Sequence, residues 1–187
     1  MSKTKELVID PRRDSKQCNP ICIDGEPVEQ VVSFEYLGVT LDNKLSFCLH
    51  TTVVQKKCQQ RLHVIRRLRS FYVDSDLLLR LYRSIVEPLL TYCIICYFPS
   101  LSVINRNKLL KICSIASKII GKPIPSLSEL TDKAILRKAK VITSDISHPL
   151  NIYFRLLPSG RRYRCLKCHK VRFSKSFIPL AIKRLNL

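Results

Sequence analysis

Two thiols and an imidazole stand close together at Cys165-Leu-Lys-Cys168-His169. Cys-x-x-Cys is half of a zinc knuckle, and the added His completes the attachment signature of a c-type haem. A structural zinc site needs four ligands. The second Cys-x-x-Cys, Cys93 to Cys96, lies in a stretch that patterns as a buried helix, where thiols pack as small apolar groups. Cys165, Cys168 and His169 are therefore metal candidates without a complete ligand set. No bound metal and no cofactor is expected.

Carboxylate chemistry is equally thin. Joining nucleotides needs at least two carboxylates that hold two metal ions a few ångströms apart. The closest pair, Asp74 and Asp76, flanks a predicted helix start, where capping and the helix dipole account for both. An iron oxygenase uses two His and one carboxylate. None of His50, His63, His148 and His169 begins a His-x-Asp or His-x-Glu motif, and there is no Gly-rich phosphate loop. No catalytic residue is assigned, and the chain is not expected to be an enzyme on its own.

Charge is the informative property. Residues 1–50 hold 6 basic and 8 acidic side chains, a net of −2, whereas residues 51–187 hold 27 and 6, a net of +21. Ten basic residues and no acid follow Asp145. An excess of this size favours a polyanion, because neutralising phosphates releases condensed counterions. Two runs interleave cations with aromatics, which suits phosphate contact and base stacking. One is Lys56, Lys57, Arg61, Arg66, Arg67 and Arg69, ending at Phe71-Tyr72; the other is Arg161-Arg162-Tyr163-Arg164. Nothing in either run specifies a base sequence, so contacts to phosphate and shape are expected.

The elements that must position these residues change period along the chain. Leu7-Val8-Ile9 and Ile21-Cys22-Ile23 read as short extended segments, the second running into an Asp24-Gly25 hairpin turn. Val31 to Thr40 reads as one strand, with Gly38 marking a bulge or a close backbone approach. Then Val54, Cys58, Leu62, Ile65, Leu68 and Tyr72 recur at helical spacing from about Leu49 to Tyr72. A second helix is predicted from a Ser75 cap over Asp76 to Phe98, kinked at Pro88. A third starts at a Ser102 cap. A fourth starts at the Ser126/Glu129 capping box, with Leu127, Leu130, Ala134 and Val141 on one face. A short last helix is predicted from Pro179 to Leu187.

The predicted fold is mostly α, a short N-terminal β-hairpin element followed by a basic helical bundle. Three regions are expected: 1–45, 46–142 and a basic C-terminal segment, 143–187. The uncharged run Pro88 to Asn105 is interrupted by Pro99 and is predicted to be a buried helix, with no membrane partner. Nine Cys, an odd number, and charged first residues (Lys3, Lys5, Glu6) predict free thiols in a reducing compartment.

Several segments taken in order resemble a known family. Ser2-Lys-Thr-Lys-Glu-Leu-Val-Ile-Asp10, Phe34-Glu-Tyr-Leu-Gly-Val-Thr-Leu-Asp42 and Lys56-Lys-Cys-Gln-Gln-Arg-Leu62 are similar to the C-terminal end of LINE-type (non-LTR) retrotransposon reverse transcriptases. So are Leu157-Pro-Ser-Gly-Arg-Arg-Tyr-Arg164 and Ser176-Phe-Ile-Pro-Leu-Ala-Ile182. The resemblance implies that Lys3 and Lys5 lie near the incoming nucleotide at the end of the palm. It makes Phe34, Tyr36, Leu37 and Gly38 a primer grip, 46–142 a thumb, and the rest a C-terminal segment. RNA or DNA template–primer, the remainder of the reverse transcriptase, and a cytoplasmic and nuclear location follow. The family's Phe-Ala-Asp-Asp motif is not in the sequence, so a noncatalytic fragment is expected, with a nonfunctional retroelement relic as an alternative. Phe47 and Tyr97 stand where the family usually has Trp. The Lys3–Asp42 region also resembles a small N-terminal domain named after an alkylated-DNA-repair AlkB homologue. That resemblance implies an accessory domain of an AlkB-type 2-oxoglutarate-dependent dioxygenase or methyltransferase.

Overall fold

The computed structural model describes residues 4–10 and 19–187. Lys3 lies outside them. The protein is mostly α, with short strands at the N-terminus and helices after them. It forms two compact units, Met1–Val54 and Gln55–Leu187.

The first unit is built on small paired strands: β1 (Lys5–Glu6), β2 (Cys22–Ile23), β3 (Glu26–Pro27), β4 (Glu29–Gln30), β5 (Ser33–Tyr36) and β6 (Val39–Asp42). β1 runs parallel to β4, so pairing falls on Lys5 and Glu6 and not on the expected Leu7-Val8-Ile9. β2 and β3 form the expected hairpin, turned by Asp24 (φ 51°) and Gly25 (φ 82°). Val31 to Thr40 is not one strand. β5 and β6 pair antiparallel, with Tyr36 opposite Val39, around a two-residue turn of Leu37 (φ 48°) and Gly38 (φ 79°). Such a tight turn needs both central residues in the left-handed region. Gly38 enters it freely, while Leu37 bears about 1 kcal/mol of steric cost. Gly38 is therefore a turn residue and not a bulge.

A carboxylate organises the exit from β6. Asp42 is buried and accepts from the Lys44 and Ser46 amides at 3.0 Å on one oxygen. Its other oxygen takes the Ser46 hydroxyl at 2.9 Å and the Phe47 amide at 3.0 Å. Burial pushes the Asp42 carboxyl up, but these hydrogen bonds outweigh it and hold the group below the ordinary carboxylate range. They steady a turn that carries Leu45 (φ 49°) and Phe47 (φ 56°) in the left-handed region. The turn leads into α1 (Cys48–Ser70). There His50 is buried, and its Nδ1 accepts from the Thr40 amide at 3.3 Å.

In the second unit α1 buries Cys58, Leu62 and Ile65, as its spacing predicts. The stripe stops there: the helix ends at Ser70, and Tyr72 is 96% exposed with φ 59°. The predicted 76–98 helix is three pieces, α2 (Ser75–Ile85), α3 (Glu87–Thr91) and α4 (Ile94–Tyr97). Asp74, not Ser75, caps α2, accepting from the Asp76 amide at 2.7 Å. Pro88 sits in the first turn of α3, where its missing N–H leaves nothing unsatisfied. Cys93 at φ 50° separates α3 from α4. Ser75–Ser100 is long and apolar enough by composition to cross a membrane. Within it Leu78, Tyr82, Leu90 and Tyr97 are fully buried in the helical core.

A 3-10 turn at Phe98–Ser100 leads to α5 (Val103–Ile120), capped by Ser102 as predicted. α6 (Leu127–Ser144) starts with the predicted box: Ser126 accepts from the Glu129 amide and donates to its carboxylate. Its buried face is Leu127, Thr131, Ile135, Ala139 and Ile142, not the predicted set beyond Leu127; Val141 is exposed. After α6 come a 3-10 turn (Asn151–Tyr153), α7 (Val171–Ser174) and α8 (Phe177–Leu185). Residues 143–187 are not a free tail. Phe154, Ala181 and Ile182 form one apolar cluster with Ile135, Ala139 and Ile142 of α6.

Candidate nucleic-acid interface

The boundary between the units coincides with the charge boundary. No charged residue lies in 51–54, so the unit Gln55–Leu187 carries 27 basic and 6 acidic side chains, the whole net of +21. Five of those acids have local tasks. Asp74 caps α2. Asp76 holds Lys122, which keeps its carboxyl below the ordinary range by a hydrogen bond and by charge. Glu129 completes the capping box, and Asp132 pairs with Arg184 at 2.9 Å. Asp145 accepts from the Ser147 hydroxyl and amide, which lowers its carboxyl as well. Little negative charge remains to neutralise the other cations.

On α1 the six predicted contact residues are all exposed but not equivalent. Arg61 donates to the Ile85 carbonyl at 2.6 Å, tying α1 to the end of α2. Arg69 donates to the Ser75 hydroxyl at 3.1 Å, and Arg67 lies over the Phe71 ring at 5.9 Å. Lys56, His63 and Arg67 fall at i, i+7 and i+11, one stripe opposite buried Cys58, with Lys57 and Arg66 on its flanks. This stripe, and not the full set of six, is the part of α1 turned farthest from its buried side.

The second predicted run is divided by the pleat of an extended ribbon. Leu156 bridges Tyr163 antiparallel, with Leu157 N–H donating to the Arg162 carbonyl at 2.8 Å and Arg164 N–H to the Arg155 carbonyl at 2.7 Å. Tyr163 turns inward, edge-on to Phe154 at 6.1 Å. Its main chain is clasped by Asn186, which accepts from its N–H at 2.8 Å and donates to its carbonyl at 2.9 Å. The Tyr163 ring is thus half-buried and packed against Phe154, on the side of the ribbon away from the arginines beside it. Arg161, Arg162 and Arg164 remain exposed.

Beside this ribbon lies a cleft of about 340 Å³ lined by Ile152, Tyr153, Arg155, Arg164, Cys165, Leu166 and Lys167. Of these, only Arg164 and Cys165 were singled out from sequence. Tyr153, Arg155 and Lys167 were missed because they are spread over fifteen residues that the ribbon folds back on itself. A basic–aromatic composition in 153–155 was the available signal.

The metal candidates are not gathered. Among the described residues no three His, Cys, Asp or Glu side chains lie close enough to hold an ion. Cys165 Sγ accepts from Asn186 Nδ2 at 3.7 Å, and Cys168 donates to the Leu166 carbonyl at 3.4 Å. Spacing in the sequence alone did not bring the three candidates together as a ligand set.

In the first unit, Lys5 pairs with Glu29 at 3.3 Å. Phe34 (40% exposed), Tyr36 and Leu37 present an apolar edge on the β5–β6 hairpin, with Gly38 at its tip.

The family model for the N-terminal region of alkylated DNA repair protein alkB homolog 8 matches residues 48–88, which hold α1 and α2. The match falls on helices downstream of Lys3–Asp42, where the sequence placed that resemblance. No curated protein and no solved structure matches the chain.

Proposed function

We propose that this chain is a noncatalytic nucleic-acid-binding piece of a non-LTR reverse transcriptase, whose helical unit holds the backbone of element RNA or of a template–primer. The observation that carries this is the +21 excess confined to one unit, whose acids are largely spent on caps and internal pairs. Repulsion among these cations costs stability, and a polyphosphate strand offsets it by releasing its counterions. The finer assignments rest on the sequence resemblance: Lys5 toward a nucleotide, and Phe34, Tyr36, Leu37 and Gly38 as a primer grip. An apolar hairpin edge suits the sugar and base faces of a primer end. Cytoplasmic and nuclear location follows from the same reading.

The test is binding of a fluorescent RNA by anisotropy across a salt series. With about five phosphates neutralised, log K falls with log salt at a slope near −3.5 for a single strand. Affinity that stays flat between low and high salt rejects the reading. So does nucleotide incorporation by the pure chain, because that requires carboxylates this reading places elsewhere.

The match at 48–88 favours a second reading, an accessory segment of an AlkB-type enzyme. It requires that the chain bind iron with 2-oxoglutarate, or a methyl donor. Calorimetric titration that shows neither ends it.

A further inference from the structure

We propose that the cleft beside the 155–164 ribbon takes a single-stranded stretch of nucleic acid, one base lying against Tyr153 and the flanking phosphates on Arg155, Arg164 and Lys167. This rests on the reading above and gives it a particular site and strand type.

The first argument is electrostatic. The Arg164 N–H donates to the Arg155 carbonyl at 2.7 Å, so the two arginines sit directly opposite across the ribbon. Both line the same cleft. Like charges opposite each other in paired strands are destabilising, and Lys167 adds a third positive group to the lining of the same cleft. No acid follows Asp145 in the sequence, and no carboxylate is paired to either arginine among the described residues. Arg155 spends its Nε on the Ile152 carbonyl at 3.2 Å, which fixes the guanidinium and leaves its outer nitrogens for another acceptor. An arrangement that costs stability without a ligand is relieved by an anion between the two forks, and phosphate suits guanidinium geometry.

The second argument is the apolar part of the lining. Tyr153 is 46% exposed and Ile152 61% exposed, and Leu166 completes an apolar surface in the same cleft. An inorganic anion has no use for such a surface. A base does, because every base has a face that stacks on an aromatic ring. The bases of a duplex are stacked within it, so a site that combines ring and cations favours unpaired nucleotides.

The third argument is rigidity. Phe154, between Tyr153 and Arg155, is buried in the cluster with α6 and α8. Asn151 Nδ2 donates to the Ile142 carbonyl at 2.9 Å and to the Asp145 carbonyl at 3.0 Å, fastening the turn to the end of α6. The Asn186 clasp on Tyr163 fastens the opposite strand. The cleft is thus held from both sides by side chains that do not line it.

The experiment uses the full chain with a fluorescent twelve-nucleotide RNA, single-stranded or annealed to its complement. Tyr153→Ala is expected to weaken single-strand binding roughly tenfold, to leave duplex binding unchanged, and to be rescued by Tyr153→Phe. Arg164→Gln is expected to flatten the salt slope by about one. Thermal melts of each variant check the fold. If Tyr153→Ala melts early, the Tyr153→Phe rescue and the Arg164→Gln slope decide alone. Wild-type binding that Tyr153→Ala leaves intact overturns the cleft assignment while the broader reading stands. So does an equal loss on single strand and duplex, or Tyr153-dependent sedimentation with phosphatidylserine vesicles that RNA does not displace. No RNA binding by the wild type at low salt overturns both.

Discussion

Around Asp42 one carboxylate collects three backbone amides and a hydroxyl. Around Cys58, by contrast, the helical unit buries thiols and tyrosines among aliphatic side chains, with Tyr82 Oη meeting Cys113 Sγ at 3.8 Å. The first unit buries Asp42, His50 and Thr51 beside Val28, Val39, Phe47 and Val54, so polar groups make up much of its small interior. Only Asn105 and Thr131 are the buried polar residues described in the second unit. Short strands cannot bury enough apolar area to hold a turn with two left-handed non-glycine residues, and charge-assisted hydrogen bonds do that work instead. Helices of eighteen to twenty-three residues bury whole stripes, which leaves their outer faces free to carry charge.

Thiol chemistry sharpens this contrast most. Burial, with the neighbouring Cys113, pushes the Cys58 thiol up to about 12 from 9.0. Its thiolate fraction is then about a thousandfold below that of an unshifted thiol. Alkylation of the native chain followed by mass spectrometry should label exposed Cys22 of the first unit long before Cys58. Comparable rates would mean that the helical core is loosely packed, as a relic would be. Next in size is the loss of core volume: Leu78→Ala is expected to cost about 3 kcal/mol in a denaturant melt. A broad, non-cooperative transition in the wild type would also break the contrast.

Asp42→Ala is expected to cost about 2 kcal/mol and to speed hydrogen exchange at the Lys44, Ser46 and Phe47 amides, leaving exchange in α5 and α6 unchanged. The pH dependence has a definite sign. A carboxyl lowered in the folded state stabilises it fully above its unfolded value, about 3.9. That stabilisation is lost as pH falls through the lowered folded value. Protection of these three amides, taken against their intrinsic exchange rates, should therefore fall in acid below about pH 4 and hold in mild base. The smallest effect is Ser126→Ala, about 1 kcal/mol from loss of the α6 cap. It should appear in the global melt of the helical unit and not in the exchange of the Asp42 turn.

Much of the helical scaffold was legible because its signals are local. Ser102 and Ser126 cap where side-chain oxygen and helical pattern meet, and the α1 stripe follows from spacing alone. The misses share a cause. The Leu37–Gly38 turn hides inside alternation, because a two-residue turn leaves a run of β-type residues that reads as continuous. The break at Cys93 leaves no Gly or Pro at the break itself. The buried face of α6 depends on which side α8 covers, and nothing within α6 records that. Tyr163 looked like a ligand because its sequence neighbours are arginines, yet the pleat sends it the other way.

By itself the sequence determined where charge resides and where the long helices begin. These depend on composition and on contacts a few residues apart. Only the tertiary structure decided which cations remain available. Arg61 and Arg69 are drawn into the α1–α2 joint, Asp132 and Asp76 each bind a distant partner, and Arg155 is set against Arg164. The physical reason is that charge belongs to a residue, whereas its availability belongs to the pairings that folding creates between residues far apart in the chain.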